Sequence, residues 1–137
     1  VPGRRSVVDH ALRRRAVLAE VHAGRTSLLE VCDASPYLSR AAQHHGELTD
    51  EPCPVCRHER LTHVSYVYGD GLGLVSGQAK TTRELARMDA MQDEFSVYTV
   101  EVCRGCGWNF LALSYVLGAE LAPGQAPRTT RRRAATE

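Results

Sequence analysis

The chain is poor in lysine, with Lys80 alone against sixteen Arg, and poor in aromatics, with two Phe and one Trp among its 137 residues. The scarcity of Lys beside so much Arg reflects a GC-rich coding bias and excludes nothing chemical. A chain this short buries a modest core, so a metal cross-link would count for much. Long hydrophobic runs are also missing. The longest, Phe110 to Leu117, is far too short to cross a bilayer, and the polar N-terminal stretch has no apolar signal region. The expected compartment is the cytoplasm, with no membrane association. A contiguous Gly-Lys-Ser/Thr is absent: Gly77 and Lys80 are separated by two residues, which rules out a phosphate-binding loop of that kind. No Ser/His/Asp set or paired acidic motif stands out, so the expectation is a protein that is not an enzyme.

What the chain does have is five cysteines. In a reducing compartment these argue for metal rather than disulfides. Four of them form two Cys-x2-Cys pairs, Cys53-Pro54-Val55-Cys56 and Cys103-Arg104-Gly105-Cys106, 46 residues apart. Two intervening residues let the chain turn back so that both sulfurs of a pair reach one ion. Four thiolates are the ligand set of a closed tetrahedral zinc site. The predicted metal ligands are therefore Cys53, Cys56, Cys103 and Cys106, holding one structural Zn²⁺. Pro54 stiffens one turn, and Gly105 and Gly107 permit positive φ in the other. Arg57 and Arg104 follow ligands directly and are placed to offset the negative charge of the site. With sulfur in all four positions there is no open position for water. Cys32 stands apart and reads as a small packing residue rather than a reactive thiol. His58 lies too close to Cys56 to replace a ligand comfortably.

The expected fold is α+β. Residues 1–46 read as a three-helix, helix-turn-helix-like unit. Its starts are placed at the capping boxes Ser6–Asp9 and Ser27–Glu30 and at Ser35-Pro36, and Gly24 and Gly46 are its stops. Residues 47–118 follow as a three-stranded zinc ribbon. It opens with an acidic linker, 47–52, and carries a loop-and-helix insertion at 69–92. Its strands fall near 62–68, 95–102 and 108–117. Inside the insertion, Thr81–Glu84 caps a helix with Leu85, Met88 and Met91 on one face. Residues 119–137 lack periodicity and read as a disordered basic tail.

Net charge is +1, distributed as seven Arg against four acids in 1–46, six basic residues against ten acids in 47–118, and four Arg against two Glu in 119–137. Basic ends around an acidic middle suit phosphate contacts, although solvated Arg on exposed faces is the plainer account. On the third helix Tyr37, Arg40 and His44 share the face opposite Leu38, Ala41 and Ala42. In a helix-turn-helix that face would enter the major groove, with Arg13, Arg14 and Arg15 toward phosphates. Successive residues point about 100° apart on a helix, so the Arg triplet cannot make one patch. The expected partners are DNA, RNA or RNA polymerase, and otherwise an unidentified protein that meets the ribbon.

Several segments together resemble a family of small actinobacterial proteins defined as a domain of unknown function. They are Ala11-Leu12-Arg13-Arg14-Arg15, Glu30-Val31-Cys32-Asp33-Ala34, Pro36-Tyr37-Leu38, the Cys53–Cys56 knuckle, Glu101-Val102-Cys103-Arg104 and Tyr115-Val116-Leu117-Gly118. The resemblance spans roughly residues 5–118 and implies an actinobacterial source and a shared architecture, but no activity. More distantly, Cys103–Cys106 with Gly107-Trp108 is similar to knuckles of transcription-associated zinc ribbons. The first knuckle departs from that pattern, with Arg57 where Gly is usual.

Overall fold

The structure is a computed structural model that describes residues 3–120. In chain order the elements are β1 (Arg5–Asp9), α1 (Ala11–His22), α2 (Leu28–Val31), α3 (Pro36–His45), β2 (Glu47–Pro52), β3 (Arg60–Tyr68), a 3-10 turn (Asp70–Val75), β4 (Ala79–Lys80), α4 (Thr82–Met91), β5 (Phe95–Val102) and β6 (Asn109–Leu117). The strands form one six-stranded antiparallel sheet in the order β1-β6-β5-β3-β2, with β4 paired to β3.

This overturns the expected separation into a three-helix, helix-turn-helix-like unit and a three-stranded ribbon. Two segments account for the difference. Ser6–Asp9 is not a capping box but strand, with Ser6 at φ 50 and Val7-Val8 extended. Two adjacent β-branched residues favour strand over a helix start. The helix begins only afterwards, where the Asp9 carboxylate accepts the Ala11 N–H at 2.8 Å. The acidic stretch 47–52 is likewise not a linker but strand β2, in antiparallel register Glu47↔His63, Leu48↔Thr62 and Pro52↔Arg60 with an irregularity between the last two pairs. It lies at the end of the strand order, where acidic side chains and a Pro blunt an edge against further pairing. The composition that suggests a linker is the composition of a protected edge.

The other local signals act as expected. Ser27 and Thr81 form capping boxes with Glu30 and Glu84, and Ser35 caps α3 ahead of Pro36 at the first helical turn. Leu85 is buried on α4, whereas Met91 is exposed. Residues 121–137, most of the stretch read as a disordered tail, lie outside the described residues. Among the described residues no helix is long and apolar enough to cross a membrane.

The chain divides into two compact units, and β1, β3, β5 and β6 contribute to both. One comprises Asp9–Val64 and Thr99–Leu113 and contains all five cysteines. Its core gathers Leu18 of α1, Leu61, Trp108, Cys53 and Cys103, with Val17, Val31 and Cys32 packed against them. Helices α1 and α2 thus pack on the cysteine cluster instead of forming a separate unit. The second unit includes Ser65–Tyr98. There Phe95, Val97, Val67, Leu72, Leu85 and Leu117 are buried, and the Asp89 carboxylate accepts the Gly118 N–H at 2.8 Å.

Candidate metal centre

The two cysteine pairs fold into knuckles built by similar hydrogen bonds, the second bond of each spanning one residue more in the first knuckle than in the second. In the first, Arg57 N–H donates to the Cys53 carbonyl at 3.1 Å and Cys53 N–H to the Glu59 carbonyl at 2.8 Å. In the second, Gly107 N–H donates to the Cys103 carbonyl at 3.0 Å and Cys103 N–H to the Trp108 carbonyl at 2.8 Å. Each turn closes with a left-handed residue just after its second cysteine, Arg57 at φ 62 and Gly107 at φ 90. Gly105, by contrast, has no positive φ. A Cβ there would lie 2.7 Å from Cγ of Glu59, so its bareness makes room for that side chain. Turn amides point at sulfur: Val55 N–H to Cys53 Sγ at 3.4 Å, Cys106 N–H to Cys103 Sγ at 3.3 Å, and Trp108 N–H to Cys106 Sγ at 3.4 Å.

These turns bring the four sulfurs of Cys53, Cys56, Cys103 and Cys106 within 4.8 Å of one another. Across the knuckles, Cys53 to Cys106 is 3.7 Å and Cys56 to Cys103 is 3.6 Å. A tetrahedron with Zn–S bonds of about 2.3 Å has edges of about 3.8 Å, so four such sulfurs can hold one ion at their centre. Burial pushes the Cys53 and Cys103 thiols up and carries Cys106 to about 12. Only Cys56 is held down, at about 6, chiefly by the His58 backbone N–H. Arg57 and Arg104 are both exposed.

Residues 1–132 match the model of a family of unknown function, DUF5318. The chain belongs to this family. Among curated proteins it is 54% identical over 121 residues to uncharacterized protein Mb0050 of Mycobacterium bovis and to uncharacterized protein Rv0049 of Mycobacterium tuberculosis, in each case covering 88% of both chains. These relatives are actinobacterial, as the resemblance of the segments implied. No solved structure matches.

Beside the cysteines of this family member lies a polar network that sequence reasoning missed. Trp108 is fully buried, with its ring parallel to Phe110 at 5.9 Å between centroids. Its indole N–H donates to Oε2 of Glu101 at 2.7 Å, and Arg14 Nε donates to the same oxygen at 2.8 Å. Glu101 is only 2% exposed. Arg14 also lies 3.8 Å from Glu51 Oε1. Donor atoms of Glu51, His63 and Glu101 come within 4.8 Å of one another, and Arg14 meets the charge of both carboxylates there. The available hint was the alternation of β5, which puts Glu101 on a buried face two residues before Cys103.

The remaining residues singled out from sequence are dispersed. Arg13 and Arg15 are exposed, while Arg14 is held by Glu101. Tyr37, Arg40 and His44 are exposed on α3 opposite half-buried Leu38 and Ala41 and buried Ala42, and the Arg40 guanidinium sits 5.1 Å from the Tyr37 ring centroid. His58 is exposed and serves Cys56 through its backbone. Cys32 is not remote from the cluster: its sulfur lies 3.7 Å from Cys106 Sγ.

Proposed function

We propose that this protein is a non-enzymatic module, folded around one structural zinc ion, that acts by contact with a protein partner. The observation that carries the reading is the set of four cysteine sulfurs within 4.8 Å of one another on two knuckles, with the Cys56–Cys103 and Cys53–Cys106 separations, 3.6 and 3.7 Å, near a tetrahedral edge. An all-sulfur tetrahedral set suits Zn²⁺ or an iron–sulfur centre. Closed zinc of this kind supplies folding energy and leaves no position for a reacting water. Cys53, Cys56, Cys103 and Cys106 would hold the ion, and the turn amides would share the charge of their thiolates. Contact with protein is favoured by exposed apolar side chains in the unit that carries the cluster, among them Leu12, Leu28, Leu29, Tyr37 and Leu48. Leu28 and Leu29, at 55% and 86% exposure, are adjacent on one short helix.

A second reading is contact with DNA, RNA or the transcription machinery, including RNA polymerase. Its support is the joint exposure of Tyr37, Arg40 and His44 on α3, with Arg13 and Arg15 also exposed. Elemental analysis of protein purified without chelator is expected to give about one zinc per chain and no iron. Iron in place of zinc would overturn the structural-zinc reading. Affinity purification of tagged protein from its own cells, with and without nuclease, separates the partners. A specific protein retained after nuclease treatment supports the first reading, and loss of all partners supports the second.

A further inference from the structure

Cys32 is the fifth thiol of the chain, and its position is built. It caps the C-terminus of α2, where its N–H donates to the Leu28 carbonyl at 2.7 Å. The following connection is tied to the second knuckle at two points. Ala34 N–H donates to the Gly107 carbonyl at 3.0 Å, and the Asp33 carboxylate accepts from the Asn109 side-chain amide at 2.9 Å. The contact is so close that a Cβ on Gly107 would fall 2.9 Å from the Cys32 carbonyl oxygen. These restraints set the Cys32 sulfur 3.7 Å from Cys106 Sγ, the same separation that Cys106 has from its partner ligand Cys53. Both Cys32 and Cys106 are partly accessible, whereas Cys53 and Cys103 are buried. Cys106 is thus flanked on one side by the sulfurs that would share its metal and on the other by a thiol outside the four-sulfur set.

We infer that Cys32 and Cys106 form an oxidative modification site: peroxide converts them to a disulfide, and the metal ion is released. The inference rests on the zinc reading. In the first step the Cys106 thiolate attacks hydrogen peroxide. An S–O bond forms, the O–O bond breaks, and the departing hydroxide takes a proton to become water. Cys106 is then a sulfenic acid and no longer a thiolate ligand. In the second step the Cys32 sulfur attacks the Cys106 sulfur. The S–S bond forms, the S–O bond breaks, and hydroxide leaves with the Cys32 proton as a second water. The two sulfurs lose two electrons in all, and one peroxide is reduced to two waters. A thiol that is not a ligand suits the second role, because it is free to attack while the remaining three sulfurs still hold the ion.

The experiment uses the full chain, purified with its metal and first assayed for zinc. Hydrogen peroxide is added, zinc release is followed with a chromogenic chelator, and the disulfides are mapped by peptide mass spectrometry. The expected map joins Cys32 to Cys106 as zinc is lost. Dithiothreitol with added zinc then restores the metal content. In Cys32→Ser, metal binds initially as in the wild type, but peroxide carries Cys106 on to sulfinic acid and reductant no longer restores binding. Cys32 remaining a free thiol after zinc release, or recovery of Cys32→Ser as complete as that of the wild type, would overturn the inference. The map is made on unaltered protein, so it decides the matter even where the variant folds poorly. Protein that contains no zinc before peroxide is added contradicts the zinc reading itself, a result distinct from loaded protein that forms another disulfide.

Discussion

The two knuckles share a similar hydrogen-bond plan but differ in what lies against them. After Cys106 the left-handed position is Gly107, and the Cys32 carbonyl lies where a Cβ would go. After Cys56 the same left-handed position carries Arg57, an L-residue exposed to solvent. The second knuckle is also backed by Trp108, whose buried indole reaches Glu101 and through it Arg14. The residue that closes the first turn is the exposed Glu59. Knuckles of this kind therefore do not require glycine at this position for their own geometry. Glycine is needed where another segment packs onto the turn. The departure of the first knuckle from the usual ribbon pattern reflects its open side.

The largest expected effect abolishes the comparison altogether. Cys53→Ser and Cys106→Ser each remove one sulfur from a shared ion, so both knuckles should fail together. Binding free energy at closed thiolate sites is of order 10 kcal/mol, more than a domain of this size can lose. Zinc content and the cooperative thermal transition are both expected to vanish, and a strong chelator should reproduce the effect in the wild type. The next effect separates the knuckles. Arg14→Ala leaves the buried Glu101 carboxylate without its ionic partner and is expected to cost roughly 3 kcal/mol. Zinc stoichiometry should stay unchanged. Glu59→Gln at the first knuckle, being exposed, should stay within about 0.5 kcal/mol of wild type. Denaturant melts of the zinc-loaded variants read both. Gly107→Ala comes third: a Cβ at φ 90, meeting a carbonyl oxygen at 2.9 Å, is expected to cost about 2 kcal/mol.

Much of the four-cysteine cluster is legible in the amino-acid sequence, because its signals are local. The Cys-x2-Cys spacing, the boxes at Ser27 and Thr81, the Ser35-Pro36 start and the alternation over Thr62–Tyr68 and Phe95–Val102 each depend on residues a few positions apart. What is not legible depends on distant partners. Whether Glu47–Pro52 is linker or edge strand is decided by its pairing with β3, and a polar edge resembles a loop in composition. Arg14 reads as a free cation, because the carboxylate that holds it, Glu101, is 87 positions away. Cys32 reads as an isolated thiol because nothing in its neighbourhood refers to Cys106. Ser6–Asp9 misleads for another reason: a capping-box pattern and a β-branched pair occupy the same four residues, and the strand prevails.

The smallest predicted effect is the sharpest test of the comparison. Arg57→Gly replaces an L-residue in the left-handed region, where such a residue bears a strain of about 1–2 kcal/mol. Glycine relieves that strain, but the unfolded chain then gains freedom, which costs roughly 0.5–1 kcal/mol on folding. The two largely offset each other, leaving the variant as stable as wild type or up to about 1.5 kcal/mol more stable. The opposite exchange, Gly107→Arg, adds a side chain against the Cys32 carbonyl and should be worse than Gly107→Ala. Melts of zinc-loaded protein are therefore expected to show near-neutrality at 57 and marked loss at 107, although the two residues hold equivalent positions in their knuckles. Equal penalties would mean that Arg57 makes a stabilising contact of its own. Near-neutrality at both would mean that the α2–α3 connection yields easily, and that the packing of Cys32 on the second knuckle is looser than its hydrogen bonds suggest.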